Sequence, residues 1–540
     1  MRRARKVAAA FLTGAFMVTG AWAGASLMPA GNKAAASKHA APASDAPGTP
    51  ADPSSLHDGQ VLAGAAKTSI APRPQDYDGT WETSEVKCST LSEKAFESFQ
   101  EDPAEFGDHL ASTGSPWPEN PNCIYMGGFG IGPMNPVTSW DSELGLYVRA
   151  VALRDRQGDD LVLVILDGEG YFWDYGKKCT DCGIKQLTQQ LAAENLGLEA
   201  KDIVIAATHA HSSPDFIGGW GHVPDWYQRQ VADTIKSTVA AAVADMKPAV
   251  LEVGEAEARD FNHERRDTYR SAEEQQIAWL RAYGAGHKTI ATIGAYAAHP
   301  TTFGTNGGKA HPDWPGLFEK SLEEQFGGIG LHFMTGLGNM SAGGLRDVHD
   351  DGKPTGADDL AALIADVGEG ARIDDPDIST AQTTWNQPAT NVPLTALGVP
   401  GFFDRKFNQA PATVQTGENP EKFQCVSASP TSVEVAASAA RIGDDFALTA
   451  APGEIFSNFS NTIKEQSGAE VTFPLGQAND ALGYMPQSFE LSPVGQQGLG
   501  FTDASGYVLV NYEDSYAIDK CFGDMALETS IGLLGQLAAK

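Results

Sequence analysis

Four short polar clusters in the 540-residue chain each follow an apolar run directly, and their residue types could together hold a metal ion. Thr208-His209-Ala-His211-Ser-Ser213 comes after Ile203-Val-Ile-Ala-Ala207, and His299-Pro300-Thr301-Thr302 after the run from Thr292 to Ala298. Gly336-Leu-Gly338-Asn339-Met-Ser341 comes after Leu331 to Thr335, and Pro452-Gly453-Glu454 after Phe446 to Ala451. Two neutral imidazoles with a carboxylate are a zinc-ligand set that leaves room for water or substrate. At a spacing of i, i+2 the rings of His209 and His211 point to one side in an extended segment and diverge in a turn, so one can ligate while the other faces substrate. Glu454 is expected at a helix start, where the dipole favours the ionised carboxylate. Each cluster alone has a plainer reading: a hydrogen-bonded loop, a His-Pro step, a Gly-rich turn, an N-terminal helix charge. Their combination points to a metal centre.

The elements that must position these clusters are short apolar strands alternating with amphipathic helices. Strands are expected at Val61 to Ile70, Leu161 to Leu166, Ile203 to Ala207, Thr292 to Ala298 and Phe446 to Ala451. Helices are expected where apolar residues recur at helical spacing: Ile184, Leu187 and Leu191; Val231, Ile235, Val239 and Val243; Leu317, Phe318, Leu322 and Phe326; Ile455, Phe459 and Ile463. The pattern predicts an α/β fold, a mixed or parallel sheet with covering helices and long loops, and a metal site at the strand C-terminal edge. The stretch from 72 to 145, dense in Gly, Pro and Trp, reads as long loops, and the acidic segment from Arg346 to Asp377 as a solvated insertion.

Composition narrows the function further. With 38 basic against 69 acidic residues the chain carries a formal charge of −31, which repels nucleic-acid phosphates and anionic bilayers. A hydrophobic content of 42% with 58 glycines excludes a coiled coil or a wholly disordered chain. Arg2, Arg3, Arg5 and Lys6 precede the uncharged run from Val7 to Leu27, with Ala21-Trp22-Ala23 as a cleavage site, so residues 1–28 read as a secretory signal peptide. The alternative is a surface anchor, because ~20 apolar residues can span a bilayer; after cleavage no stable membrane insertion is expected. Residues 29–56 read as an Ala/Pro/Ser-rich linker and 57–540 as the catalytic domain. The exported part keeps six cysteines, Cys88, Cys123, Cys179, Cys182, Cys425 and Cys521, an even count that favours disulfides. Cys179-Thr-Asp-Cys182 has no second CxxC, so a local bridge is the reading preferred over a zinc clip.

At the same clusters the chain resembles the neutral/alkaline, non-lysosomal ceramidase family, from about Leu62 to the C-terminus. Thr208-His-Ala-His-Ser-Ser-Pro214 is similar to the family's Thr-His-Thr-His-Ser-Gly-Pro, and Ala298-His299-Pro300-Thr301 to the segment of its second histidine ligand. Asn262-His-Glu-Arg265, Gly338-Asn-Met-Ser341, Pro452-Gly-Glu454, Ala478-Asn-Asp-Ala-Leu-Gly-Tyr484 and Tyr512-Glu513 resemble further family segments in the same order. Asn339 stands where the family has an acid, Ala342 where it has proline and Ser213 where it has glycine. A counterpart of the family's C-terminal β-sandwich domain is not expected within these residues.

The resemblance implies a secreted Zn2+-dependent amidohydrolase of ceramidase type acting on a small-molecule or lipid amide. It implies His209, His299, Glu454 and Tyr484 as metal ligands, and His211, Arg265 and Ser341 as catalytic residues. Tyr512 is implied as a substrate contact. Ser341 stays open as nucleophile or hydrogen-bond donor, and the oligomeric state is left open. Two other readings remain: a metallohydrolase of the same fold acting on another amide or ester, and a non-catalytic secreted binding protein.

Overall fold

In a computed structural model the expected alternation of strands and helices builds two β-sheets packed face to face, with helices on both outer sides. The structure describes residues 52–73, 88, 123–129, 135–221, 223–266, 272–345, 356–398, 403–418, 422, 424–491 and 512–538. The expected signal peptide, nearly all of the linker, and much of the Trp-rich loop region before 135 lie outside the described residues.

The first sheet contains β1 (Val61–Ser69), β2 (Tyr147–Arg154), β3 (Asp160–Leu166), β4 (Ile203–Ala207), β5 (Lys247–Glu257), β6 (Gln276–Tyr283), β7 (Thr289–Tyr296) and β8 (Ile329–Met334). Their order is β8-β7-β6-β5-β1-β2-β3-β4, with the two-residue strand Ala371–Arg372 added on β5. Only β3–β4 and β7–β8 pair in parallel. These are the two pairs joined by a crossover helix, α1 (Ile184–Ala193) and α3 (Asp313–Phe326), as parallel neighbours require. Between them in the chain, α2 (Asp225–Ala244) carries the connection from β4 to β5. The halves of the sheet meet through only three residue pairs of β1 and β5. They are clasped again by α3, whose Glu319 and Glu323 reach Arg149 of β2 at 2.6 Å and Lys67 of β1 at 2.7 Å. Strand β8 thereby lies back against β2 and β3, and the C-terminal ends of β4 and β7 open onto one place although they are not sheet neighbours.

The second sheet has the order β9 (Ile378–Pro388), β10 (Ser432–Ile442), β11 (Phe446–Ala450), β12 (Val471–Leu475). Val151, Leu163, Ile293 and Phe333 of the first sheet pack with Phe446, Leu448, Phe473 and Leu475 of the second. Each such fully buried side chain contributes about 1.5–3 kcal/mol. On the outer faces the apolar stripes of α1 and α2 cover one side, as their spacing predicts. The helices α5 (Ser457–Ser467) and α6 (Phe522–Ala538) cover the other, while α4 (Ala357–Val367) packs with α3 around Trp279. The six cysteines form Cys88–Cys123, Cys179–Cys182 and Cys425–Cys521, and the second of these is the expected local bridge. Among the described residues no helix is long and apolar enough to cross a membrane.

One packing feature makes a stability prediction. His332 of β8 is fully buried against Trp314 and Phe318, at ring separations of 4.5 and 5.4 Å, and neither ring nitrogen has a hydrogen-bond partner. Burial pushes its pKa down from 6.5 to about 3. The depressed value means that stability is intact above pH 6.5 and is lost as pH falls towards 3. At pH 5 the cost is about 2 kcal/mol, from ~1.4 kcal/mol per pH unit. His332→Leu removes that cost, so its unfolding free energy relative to the unmodified protein is expected to rise by about this amount between pH 8 and pH 5. A urea-unfolding difference that does not change with pH would refute this.

Candidate metal centre

Strand β4 ends at Ala207, and the chain turns sharply because His209 takes the left-handed conformation at φ 57°. A non-glycine residue held there signals a constrained site. The turn does not make the two rings diverge. His209 and His211 lie 4.8 Å apart with their Nε2 atoms at 3.2 Å. His299, three residues beyond β7, brings its ring to 5.0 Å from His209 and 5.3 Å from His211. One nitrogen from each of the three lies within 4.8 Å of the others.

Each imidazole is tied at its far side. The Nδ1 atoms of His209, His211 and His299 meet the main-chain oxygens of Glu169 at 2.6 Å, Gly128 at 2.9 Å and Leu337 at 3.1 Å. Carbonyls only accept, so these contacts assign the proton to Nδ1 and leave each Nε2 lone pair facing inward. Burial, reinforced by neighbouring charges, holds His211 and His299 well below the usual histidine range and brings His209 down to about 4. All three rings are therefore neutral at physiological pH.

Glu454 completes the cluster from the second sheet: its Oε2 lies 3.6 Å from His209 Nε2 and 3.5 Å from His299 Nε2. The expectation that a helix dipole keeps it ionised needs correction. Glu454 sits in the two-residue strand Glu454–Ile455, paired with Tyr484–Met485, and α5 begins only at Ser457. Its environment is set by burial, which raises its pKa to about 8 against the opposing charge of Arg265 and a hydrogen bond with Tyr484. Glu454 Oε2 is buried with no hydrogen-bond partner. Three inward lone pairs beside an orphaned carboxyl oxygen form a set of acceptors whose mutual repulsion a proton on Glu454 or a cation between them relieves, and the donor set fits a metal ion bound through N and O.

The other candidate residues fall around this core. The Tyr484 hydroxyl lies 3.5 Å from His299 Nε2 and accepts from Arg265 Nη2 at 2.9 Å. Arg265 also donates to the Gly338 carbonyl and to Glu513, each at 2.9 Å. Ser341 is half-buried in a short strand beside the site, where its backbone pairs with His263 and bridges to His299. Its hydroxyl makes no hydrogen bond among the described residues. Asn339 turns away from the cluster, and its Oδ1 accepts from the backbone of Ser457 at 2.8 Å, capping α5. Tyr512 opens a four-residue helix, Tyr512–Ser515, and its side chain lies outside what the structure describes.

Two site residues escaped the sequence reading. Gly128, at φ 81°, lies so close to His211 that a Cβ would stand 2.1 Å from Nδ1, so only glycine fits. Glu169 lies in Asp167-Gly-Glu169-Gly170, directly after β3. That is the strand-end position that singled out the other clusters, and the same rule would have found it.

With this geometry established, the architecture defines a class: the chain has a ceramidase-like fold. It is similar to the crystal structure of neutral ceramidase from Pseudomonas aeruginosa, with a TM-score of 0.59 and 15% identity over 89% of this chain and 75% of that one. A second structure, a ceramidase complexed with C2, matches with a TM-score of 0.56 and 15% identity over 88% of this chain and 74% of that one. No family model matches the sequence, and no curated protein does.

Proposed function

We propose that this chain is a secreted zinc-dependent hydrolase of N-acyl amides, of the ceramidase type. The observation that carries the reading is the convergence of three neutral imidazole nitrogens, two of which, those of His209 and His299, lie 3.6 and 3.5 Å from the unpartnered Glu454 oxygen. The likeness of fold to neutral ceramidases adds support, and three disulfides fit export to an oxidising compartment.

His209, His299 and Glu454 would hold the zinc, with Tyr484 as an outer donor. Zinc held there supplies Lewis acidity to an amide carbonyl and lowers the pKa of water to about 7. The protein's own groups divide the remaining tasks. Arg265, fixed by Glu513 and the Gly338 carbonyl, orients the Tyr484 hydroxyl and places positive charge where the acyl oxygen gains negative charge. His211 is anchored through Nδ1 to Gly128, so its Nε2 is the atom that takes a proton and hands it to the leaving amine. Phe129 packs edge-on against that ring at 5.2 Å. Ser341, whose backbone bridges to His299, would supply a further hydroxyl donor to the substrate.

The test is metal analysis of the intact protein with hydrolysis of a short-chain fluorescent ceramide before and after chelation. About one zinc per chain and chelator-sensitive release of the sphingoid base are expected. Zinc without cleavage, but with turnover of short amides or esters, would shift the substrate and keep the centre. Absence of both would refute the enzyme reading.

A further inference from the structure

We propose that Glu169 is a positioning residue for His209 that strengthens the hold of the centre on a divalent cation. The inference rests on the metal-centre reading above and concerns a residue outside the ligand set. Glu169 meets His209 once, through its main chain, and turns its carboxylate towards the same ring atom. Its main-chain oxygen meets Nδ1 at 2.6 Å, and its carboxylate Oε1 stands 3.7 Å from the same atom. Its other carboxylate oxygen, Oε2, is buried with no hydrogen-bond partner, and the residue is only 2% exposed. The side chain is packed tightly: a Cβ on Gly127 would lie 2.5 Å from Glu169 Cγ.

His209 is thus bracketed, with Glu169 at Nδ1 and Glu454 3.6 Å from Nε2. Each acid keeps one buried oxygen without a partner. The imidazoles between them are neutral and offer no compensating charge. Arg265 is committed to Tyr484, Gly338 and Glu513, while the two carboxylate oxygens of nearby Asp215 accept backbone N–H groups of Ile217, Gly218 and Trp220. Burial, with Asp215 and Glu454 nearby, pushes the Glu169 carboxyl towards its neutral form, as burial does Glu454, and a divalent ion between the imidazoles would favour the ionised form of both. The Nδ1 proton goes to the Glu169 main-chain oxygen, so the carboxylate 3.7 Å away acts through its negative charge, which raises the basicity of the ring, and loss of an outer partner weakens metal affinity by roughly 10–100-fold.

The experiment measures zinc dissociation constants by competition with a chromophoric chelator for the full chain and for Glu169→Gln and Glu169→Asp. Glutamine keeps the shape and the main-chain contact but removes the charge, so a 10–100-fold weaker constant is expected. Aspartate keeps the charge and is expected to recover most of the loss. A glutamine variant within twofold of the unmodified protein overturns the proposal, as does equal weakening by both variants, which would mark a packing effect. A second readout is spectroscopic: in the zinc-loaded protein Glu169→Gln should move the Nδ1 proton resonance of His209 and leave that of His299, whose Nδ1 meets the Leu337 carbonyl, in place. An unmoved His209 resonance also overturns it. If the unmodified protein holds no zinc, the centre itself falls and takes this inference with it, whereas zinc held equally well by the glutamine variant removes Glu169 alone.

Discussion

His299→Ala is expected to lower hydrolysis by roughly a thousandfold or more and to leave the isolated protein with far less than one zinc per chain. His299 is the hub of the centre, because its Nε2 lies 3.5 Å from both Glu454 Oε2 and the Tyr484 hydroxyl while its ring contacts both other histidines. Truncation leaves two imidazoles and a carboxylate that burial already pushes towards its neutral form. The fold should survive. The lost bond to the Leu337 carbonyl costs about 1–3 kcal/mol, a sum that the four large hydrophobic clusters can absorb. Unchanged circular dichroism with lost zinc and lost activity is the expected set of observations, and a variant that keeps full zinc content would sink the ligand assignment.

The legibility of this site follows from where its residues stand. β4, β7 and β11 are wholly buried, so they read as continuous apolar runs, and the polar residues just beyond them stand out. β5 and β9 do not, because strands such as Ile378–Pro388, rich in Thr, Gln and Asn and largely half-exposed, carry no apolar run. The second sheet and its stacking on the first were therefore illegible. So was the true setting of Glu454: a two-residue strand is fixed by its partner Tyr484–Met485, thirty residues away, and local pattern cannot show it. A contact made through a main-chain atom, such as the Leu337 carbonyl that orients His299, belongs to tertiary geometry and leaves no trace in residue type. The convergence of β4 and β7 depends on a clasp by Glu319 and Glu323 of α3, whose partners are more than 150 positions away in the chain.

Arg265→Met is expected to reduce kcat/KM by roughly 10²–10³-fold while zinc content stays near that of the unmodified protein. Burial alone would pull the guanidinium's pKa down, but Tyr484, Glu513 and Glu454 outweigh it and keep the group charged. Its hydrogen bonds go to the Tyr484 hydroxyl, the Gly338 carbonyl and Glu513, and none goes to a histidine. Methionine fills much of the same volume and removes the charge, so the three imidazoles and Glu454 keep their places while the tyrosine hydroxyl loses its donor. Glu513 is left buried, but Arg266 remains 3.7 Å from its other oxygen, and Arg266 in turn is held by Asp514 at 2.9 Å. Removing one partner of a buried pair costs about 3–5 kcal/mol, and this second cation should keep the loss near the lower end, so that thermal unfolding shifts but the protein stays folded. In the proposed mechanism the charge acts on an oxygen that turns negative as the amide is attacked, so the loss should fall on kcat rather than KM. A variant that loses zinc together with activity would show instead that Arg265 works by holding Tyr484 on the ion, and one with unchanged kcat would remove it from the chemistry.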